Sequence, residues 1–73
     1  MATLNTEQYD ALERAIIDGT RIAVYRPGNR EVVVVPRRLR VAGGREIIEA
    51  THPTTGERLT LIIDEIEGFE VVG

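Results

Sequence analysis

The sequence has no cysteine, serine, lysine or tryptophan, and it contains a single histidine, His52. Without cysteine there is neither a disulfide nor a thiolate metal site, and nothing points to an oxidising compartment, so we expect a cytoplasmic location. A nucleophile would have to be threonine or tyrosine, and one imidazole cannot assemble a zinc site without several carboxylates. These absences predict a protein that is not an enzyme and that needs no metal or cofactor.

Long hydrophobic runs are also absent. No apolar run approaches the roughly 18 residues that span a bilayer, and the start of the chain lacks the basic and apolar segments of a signal peptide. With 73 residues the chain has the length of one domain, and a domain this small buries only about 60% of the surface that its unfolded chain exposes. We therefore expect one soluble domain of marginal stability over residues 1–73.

The charges are sorted along the chain. Residues 21–45 carry seven arginines against one glutamate, whereas residues 1–20 and 46–73 are both acidic, and the whole chain has a net charge of −3. Such an arginine-rich segment can form a surface that meets phosphates. Alternatively, basic strands pair with acidic strands and the charges neutralise each other across the sheet. The sequence leaves both interpretations open.

The N-terminal part has the signals of one helix over about residues 6–18. Asn5 and Gln8 have the spacing of a capping box, and Gly19 suits a left-handed C-cap. Apolar residues recur between them at intervals of three and four, which gives the helix one apolar face. From residue 20 onward the period changes to two, with turn residues that separate five short strands up to residue 72. Pro36 marks a bulge or bend, because proline cannot donate a hydrogen bond to a neighbouring strand. One helix and five strands predict a mostly β fold that forms a small barrel.

Several strands are apolar on both faces, which a sheet with one exposed face does not need. A helix of about three turns cannot cover the whole outer surface of a barrel. The remaining apolar surface predicts an interface with a second copy or with a partner protein. The residues predicted for this interface are Val32, Val33, Val34, Val35 and Ile62.

The order of these segments carries a resemblance to a known family. The matching segments are Ala15-Ile16, residues 22–25, residues 33–36, Leu39, Gly43-Gly44, Ile47-Ile48, Gly56-Glu57 and residues 63–66. From Leu12 to about Ile66 the chain resembles a WYL domain. The resemblance implies a five-stranded SH3/Sm-like barrel with an N-terminal helix. WYL domains are associated with bacterial transcription regulators and with phage- or CRISPR-linked proteins, where they sense nucleotides or bind single-stranded nucleic acid.

The chain departs from the family in two places. The strand that names the family reads Glu46-Ile47-Ile48 here, so the aromatic groups that could stack on a base are absent. The arginines around the family's final motif fall where this chain has Leu59, Ile62 and Glu65. The resemblance is therefore to a minimal WYL domain from which the family's usual ligand pocket has been stripped.

Two functional hypotheses follow. The first is a regulatory binding module that contacts nucleic acid or a nucleotide, in which Tyr25 stacks on a base and neighbouring arginines meet phosphates. Its predicted contact residues are Tyr25, Arg26, Arg30, Arg37, Arg38, Arg40 and Arg45. In the alternative interpretation, Tyr25 packs under the helix and the arginines are merely solvated.

Simple alternation places Arg38 and Arg40 on one face and Arg37 on the other, unless the bend at Pro36 changes the register. The second hypothesis is a protein-interaction or self-assembling barrel that uses the apolar interface.

Overall fold

The structure, a computed structural model, describes residues 4–73 and contains one helix followed by five antiparallel strands. The first three residues of the predicted domain lie outside the described residues. The elements in chain order are α1 (Thr6–Asp18), β1 (Ile22–Arg26), β2 (Arg30–Ala42), β3 (Arg45–Thr51), β4 (Arg58–Ile62), a 3₁₀ turn (Ile63–Glu65) and β5 (Gly68–Val71). The prediction of a mostly β fold with one N-terminal helix is confirmed.

Helix α1 begins and ends at the residues that the sequence predicts. The Asn5 side chain accepts a hydrogen bond from the Gln8 amide at 2.8 Å, and the Gln8 side chain accepts one from the Asn5 amide at 2.9 Å. This capping box satisfies two of the amides that a helix start leaves without partners. Gly19 ends the helix with φ 69°, the left-handed conformation that glycine adopts at little cost.

The five strands form one sheet in the order β4-β3-β2-β1-β5. Strand β5 pairs only with β1, and β4 pairs only with β3, so the two edges of the sheet are not joined. A closed barrel requires those two edges to be hydrogen-bonded to each other. The predicted SH3/Sm-like barrel is therefore not confirmed, and the architecture is an unclosed antiparallel sheet with one helix.

Strand β2 is bent. It has 13 residues, which would span about 40 Å if fully extended, and this length exceeds each principal-axis extent of the described Cα atoms, 31 × 27 × 23 Å. The pairing of β2 with β3 shifts register between Pro36 and Arg38, as expected for a bulge at proline. The first part of β2 pairs with β1 and the second part with β3. The bulge therefore lies where β2 passes from one partner to the other.

One face of the sheet, here called the inner face, packs against α1 and forms the core. Its buried residues are Leu12, Ala15, Ile22, Val24, Val34, Ile48, Ala50, Leu61, Ile63 and Ile66. This result corrects part of the predicted apolar interface. Val34 has no exposed surface and Val32 packs against the core, so both belong to the inner face. Val33, Val35 and Ile62 are half-buried, and the strand register places them on the opposite, outer face.

A hydrogen bond ties α1 to β3. The Tyr9 hydroxyl donates to Oε1 of Glu46 at 2.5 Å, while the aromatic ring packs against the core. The hydrogen bond to Glu46, together with partial burial and the charges of Glu46 and Asp64, raises the pKa of Tyr9 to about 12.

Within residues 4–73, no helix is both long enough and apolar enough to cross a membrane.

Candidate nucleic-acid interface

The bulge in β2 brings three arginines onto the outer face. The Arg37 Nε donates to the Thr51 hydroxyl at 3.2 Å, and Arg40 forms an ion pair with Glu49. Glu49 and Thr51 are two residues apart on β3, so their side chains leave the same face. Arg38 is the register partner of Glu49 and lies on that face too. The alternation that separates Arg37 from the other two fails because the bulge adds one residue to β2.

A fourth arginine, on β4, joins this group. Arg58 is the register partner of Thr51, and Thr60 is the register partner of Glu49. Together with Arg37 these residues line an open cleft of about 490 Å³, to which Ala50 and Leu59 also contribute. We call these four arginines of the outer face, Arg37, Arg38, Arg40 and Arg58, the arginine face.

Sequence reasoning did not select Arg58, because it is the one basic residue in an acidic segment, residues 46–73. The signal that could have identified it is the alternation of β4 read together with the turn before it. The register between β3 and β4 then places Arg58 beside Thr51. The net charge of the segment does not show that Arg58 lies beside Thr51, because net charge does not depend on which strands are neighbours.

The charges on the arginine face do not cancel. Glu49 is the one carboxylate that lines the cleft, and it is paired with Arg40. Among residues 4–73, the structure places two carboxylate–guanidinium pairs within 4.0 Å, and neither contains Arg37 or Arg58. Both guanidinium groups therefore retain donors for an external anion, beside two threonine hydroxyls that can also donate.

The other predicted arginines gather elsewhere. Arg26 and Arg30 are register partners at the tip of the first hairpin, and they line a second cleft of about 340 Å³ with Pro27 and Glu65. The Arg45 Nη1 lies 3.8 Å from the Glu65 Oε2. Alternation along β3 places Arg45 on the outer face with Glu49 and Thr51, and Arg45 does not line this cleft. We call Arg26, Arg30 and Glu65 the end cluster.

Tyr25 belongs to neither group. Its register partners are Glu31 and Gly68, which places it on the outer face, away from α1. Partial burial and the nearby carboxylates of Glu70 and Glu31 raise the pKa of Tyr25. Arg26, the next residue of β1, leaves the opposite face. The structure therefore does not assemble the predicted platform of Tyr25 with Arg26 and Arg30, and Tyr25 does not pack under the helix either.

His52 is a turn residue, as its position beside Pro53 predicts. Its Nδ1 accepts hydrogen bonds from the amides of Thr54 at 3.1 Å and Thr55 at 3.3 Å. His52 thus fixes the connection between β3 and β4, the two strands that carry Thr51 and Arg58.

Comparisons with known proteins place the fold but not the family. No protein-family model and no curated protein matches the sequence. Among solved structures, the chain is similar to the Proteasome accessory factor B/C (PafBC) of Arthrobacter aurescens, with a TM-score of 0.77 and 21% sequence identity. The match covers 100% of this chain and 13% of PafBC, so the chain corresponds to a small part of that protein. At this identity the likeness concerns the fold alone, and it supports a WYL-like fold for this chain.

Proposed function

We propose that this domain is a regulatory binding module that contacts single-stranded nucleic acid through the arginine face. The observation that carries the proposal is the position of Arg37 and Arg58, which flank Thr51 in one cleft and have no carboxylate partner within 4.0 Å among residues 4–73. Planar guanidinium groups match the oxygen pairs of a phosphate, and arginine is the common residue for such contacts. The fold likeness to a regulator is consistent with a regulatory role.

The lining of the cleft defines the kind of recognition. It consists of arginines, threonines, one glutamate and two aliphatic residues, with no aromatic ring that could stack on a base. Contacts of this kind bind phosphates and carry little sequence information. We therefore expect binding that tolerates many sequences and weakens steeply with salt. With about three phosphates neutralised, the logarithm of the affinity should fall with the logarithm of the salt concentration at a slope of about −2.

Fluorescence anisotropy with a labelled single-stranded oligonucleotide tests the proposal at two salt concentrations. The double variant R37Q/R58Q should lose most of the affinity and give a shallower salt dependence. The matched control is R14Q/R21Q, which removes the same two charges from exposed positions outside the cleft. Absence of binding by the unaltered protein at low salt would exclude the proposal. An equal loss of affinity in R14Q/R21Q would show that binding depends on net charge and not on the arginine face.

A second candidate function is self-association through an edge of the sheet. Strand β5 pairs on one side only, and Val71 and Val72 at its end are 49% and 46% exposed. An edge strand with exposed apolar side chains is a template for pairing with another chain. Light scattering after size exclusion, over a range of concentrations, measures the mass in solution. A monomer at the highest concentration would remove this candidate.

A further inference from the structure

The end cluster contains an arrangement that is unfavourable for the isolated chain. Arg26 and Arg30 are directly opposite each other in the antiparallel pairing of β1 with β2. Like charges at directly opposite positions destabilise a sheet. Among residues 4–73, neither guanidinium has a carboxylate within 4.0 Å. The hairpin tip therefore keeps two positive charges side by side without a strong internal partner.

Glu65 offers only partial compensation. It lines the cleft with Arg26 and Arg30 but has neither guanidinium within 4.0 Å, and its nearest guanidinium, that of Arg45 at 3.8 Å, belongs to a residue outside the cleft lining. The Arg45 and Glu65 side chains are 57% and 59% exposed. Exposed pairs of this kind contribute little to stability, because water screens them. Folding alone gives no reason for Arg26 and Arg30 to lie opposite each other here.

The backbone around Glu65 is fixed, although its side chain is exposed. Glu65 ends the 3₁₀ turn, and its neighbours Ile63 and Ile66 are 1% and 3% exposed in the core. The Ile66 amide donates to the Ile63 carbonyl at 3.2 Å. The Glu65 backbone is therefore held near the cleft, while the side chain can rotate and carry its carboxylate out of the cleft. An anion that enters would replace Glu65 without moving the chain.

We propose that the end cluster is a second anion site, separate from the arginine face, that takes a phosphate group, with Glu65 as its internal competitor. A phosphate carries more negative charge than one carboxylate and presents oxygen pairs to guanidinium groups. It neutralises the opposed pair of Arg26 and Arg30. The Pro27 ring restricts the hairpin loop between the two arginines, which keeps their strands in register.

Residue-resolved NMR titrations test this site. They use the full chain in the R37Q/R58Q background, so that the arginine face does not contribute and failure of one proposal leaves the other standing. The probes are inorganic phosphate, adenosine monophosphate and adenosine. Phosphate should shift the amide signals around Arg26, Arg30 and Glu65, and R26Q/R30Q should abolish the shifts. Absence of shifts at these residues with phosphate, or equal shifts with adenosine, would overturn the proposal.

The two phosphate probes identify the source of the group. Equal affinity for phosphate and for adenosine monophosphate supports recognition of the phosphate group alone. Tighter binding of the nucleotide supports a nucleotide as the source. Either result is compatible with the site, because both probes offer the same phosphate chemistry to Arg26 and Arg30.

Glu65 is tested separately by charge removal. E65Q should bind phosphate about two- to fivefold more tightly, the range expected when one exposed ionic competitor is lost. The control is E67Q, which removes the same charge from an exposed residue that does not line the cleft. Equal effects of E65Q and E67Q on phosphate affinity would show that Glu65 does not compete with phosphate.

Without phosphate, R26Q should raise the melting temperature, because it removes one member of the like-charge pair. Addition of phosphate to R26Q should then raise the melting temperature little further.

Discussion

Replacing Tyr9 by phenylalanine removes the one hydroxyl that joins helix α1 to strand β3. The aromatic ring still packs against the core, so the change isolates the hydrogen bond to Glu46. Hydrogen bonds to a charged partner contribute about 1.5–3 kcal/mol, and partial exposure of this pair places the expected loss at the lower end of that range. In a domain of this size, each 1 kcal/mol corresponds to roughly 4–8 °C in melting temperature. Thermal unfolding followed by circular dichroism measures the loss.

The pH dependence gives the same prediction a second readout. The pKa of Tyr9 is raised from 10.0 to about 12 in the folded protein. A group whose folded pKa is raised contributes its full stability below its unfolded pKa and loses that stability as the pH rises through the folded value. The unaltered protein should therefore lose more stability between pH 10 and 12 than the Y9F variant. Identical profiles over that interval would refute the assignment of the pKa shift to the Glu46 contact.

A double-mutant cycle with E46Q completes the test. Glutamine keeps an acceptor oxygen and removes the charge, so E46Q should cost less than Y9F. The double variant Y9F/E46Q should be more stable than the sum of the two single losses predicts, because Y9F removes the hydrogen bond and E46Q removes the charge that strengthens the same bond. Losses that add to within about 0.5 kcal/mol would show that Tyr9 and Glu46 act independently. The fold would then not depend on a tether between α1 and β3.

Four further changes probe the scaffold. I48A removes a side chain that is 0% exposed and should cost about 2–5 kcal/mol in chemical denaturation; V41A, at a position 69% exposed, should stay within about 0.5 kcal/mol. In G19A the new Cβ has no atom within 4 Å, so only the strain of the left-handed backbone lowers the free energy of unfolding, by about 1–2 kcal/mol. An unchanged free energy of unfolding would contradict that explanation. N5A removes the helix cap and should cost about 0.5–2 kcal/mol, with the largest loss of amide hydrogen-exchange protection in the first turn of α1.

The parts of the fold that depend on near neighbours were predictable from the sequence. The capping box at Asn5 and Gln8, the C-cap at Gly19 and the irregularity at Pro36 each involve residues a few positions apart. Their chemistry permits few alternatives: a side chain that accepts from a free amide, a backbone with positive φ, or a residue without a donor. The structure places all of them where the sequence predicts.

The faces of the sheet and its edges were less predictable, because they depend on pairing between distant segments. The run from Val32 to Val35 is apolar throughout, and periodicity alone does not show that the inner face takes Val32 and Val34. Whether β4 meets β5 depends on the curvature accumulated over five strands, and no short motif encodes that curvature. The position of Arg58 beside Thr51 similarly requires the register across a turn.

The bulge in β2 gives an acidic chain one face that carries several arginines. In a straight strand, Arg37 would leave the face opposite to Arg38, and the two ends of β2 would be about 40 Å apart. The bulge puts Arg37 beside Thr51, on the face that also carries Arg38 and Arg40. The net charge of the chain therefore does not show how its arginines are distributed over the surface.

The register of β4 also determines on which face its arginine lies. Leu59 packs against the core, and its preceding residue is Arg58. A displacement by one residue in a strand moves a side chain to the other face of the sheet. The positive charge is thus present in β4, but it lies on the outer face with Arg37. If the arginine face binds phosphates, exchanging residues 58 and 59 should abolish binding even though the composition and net charge of the chain stay the same.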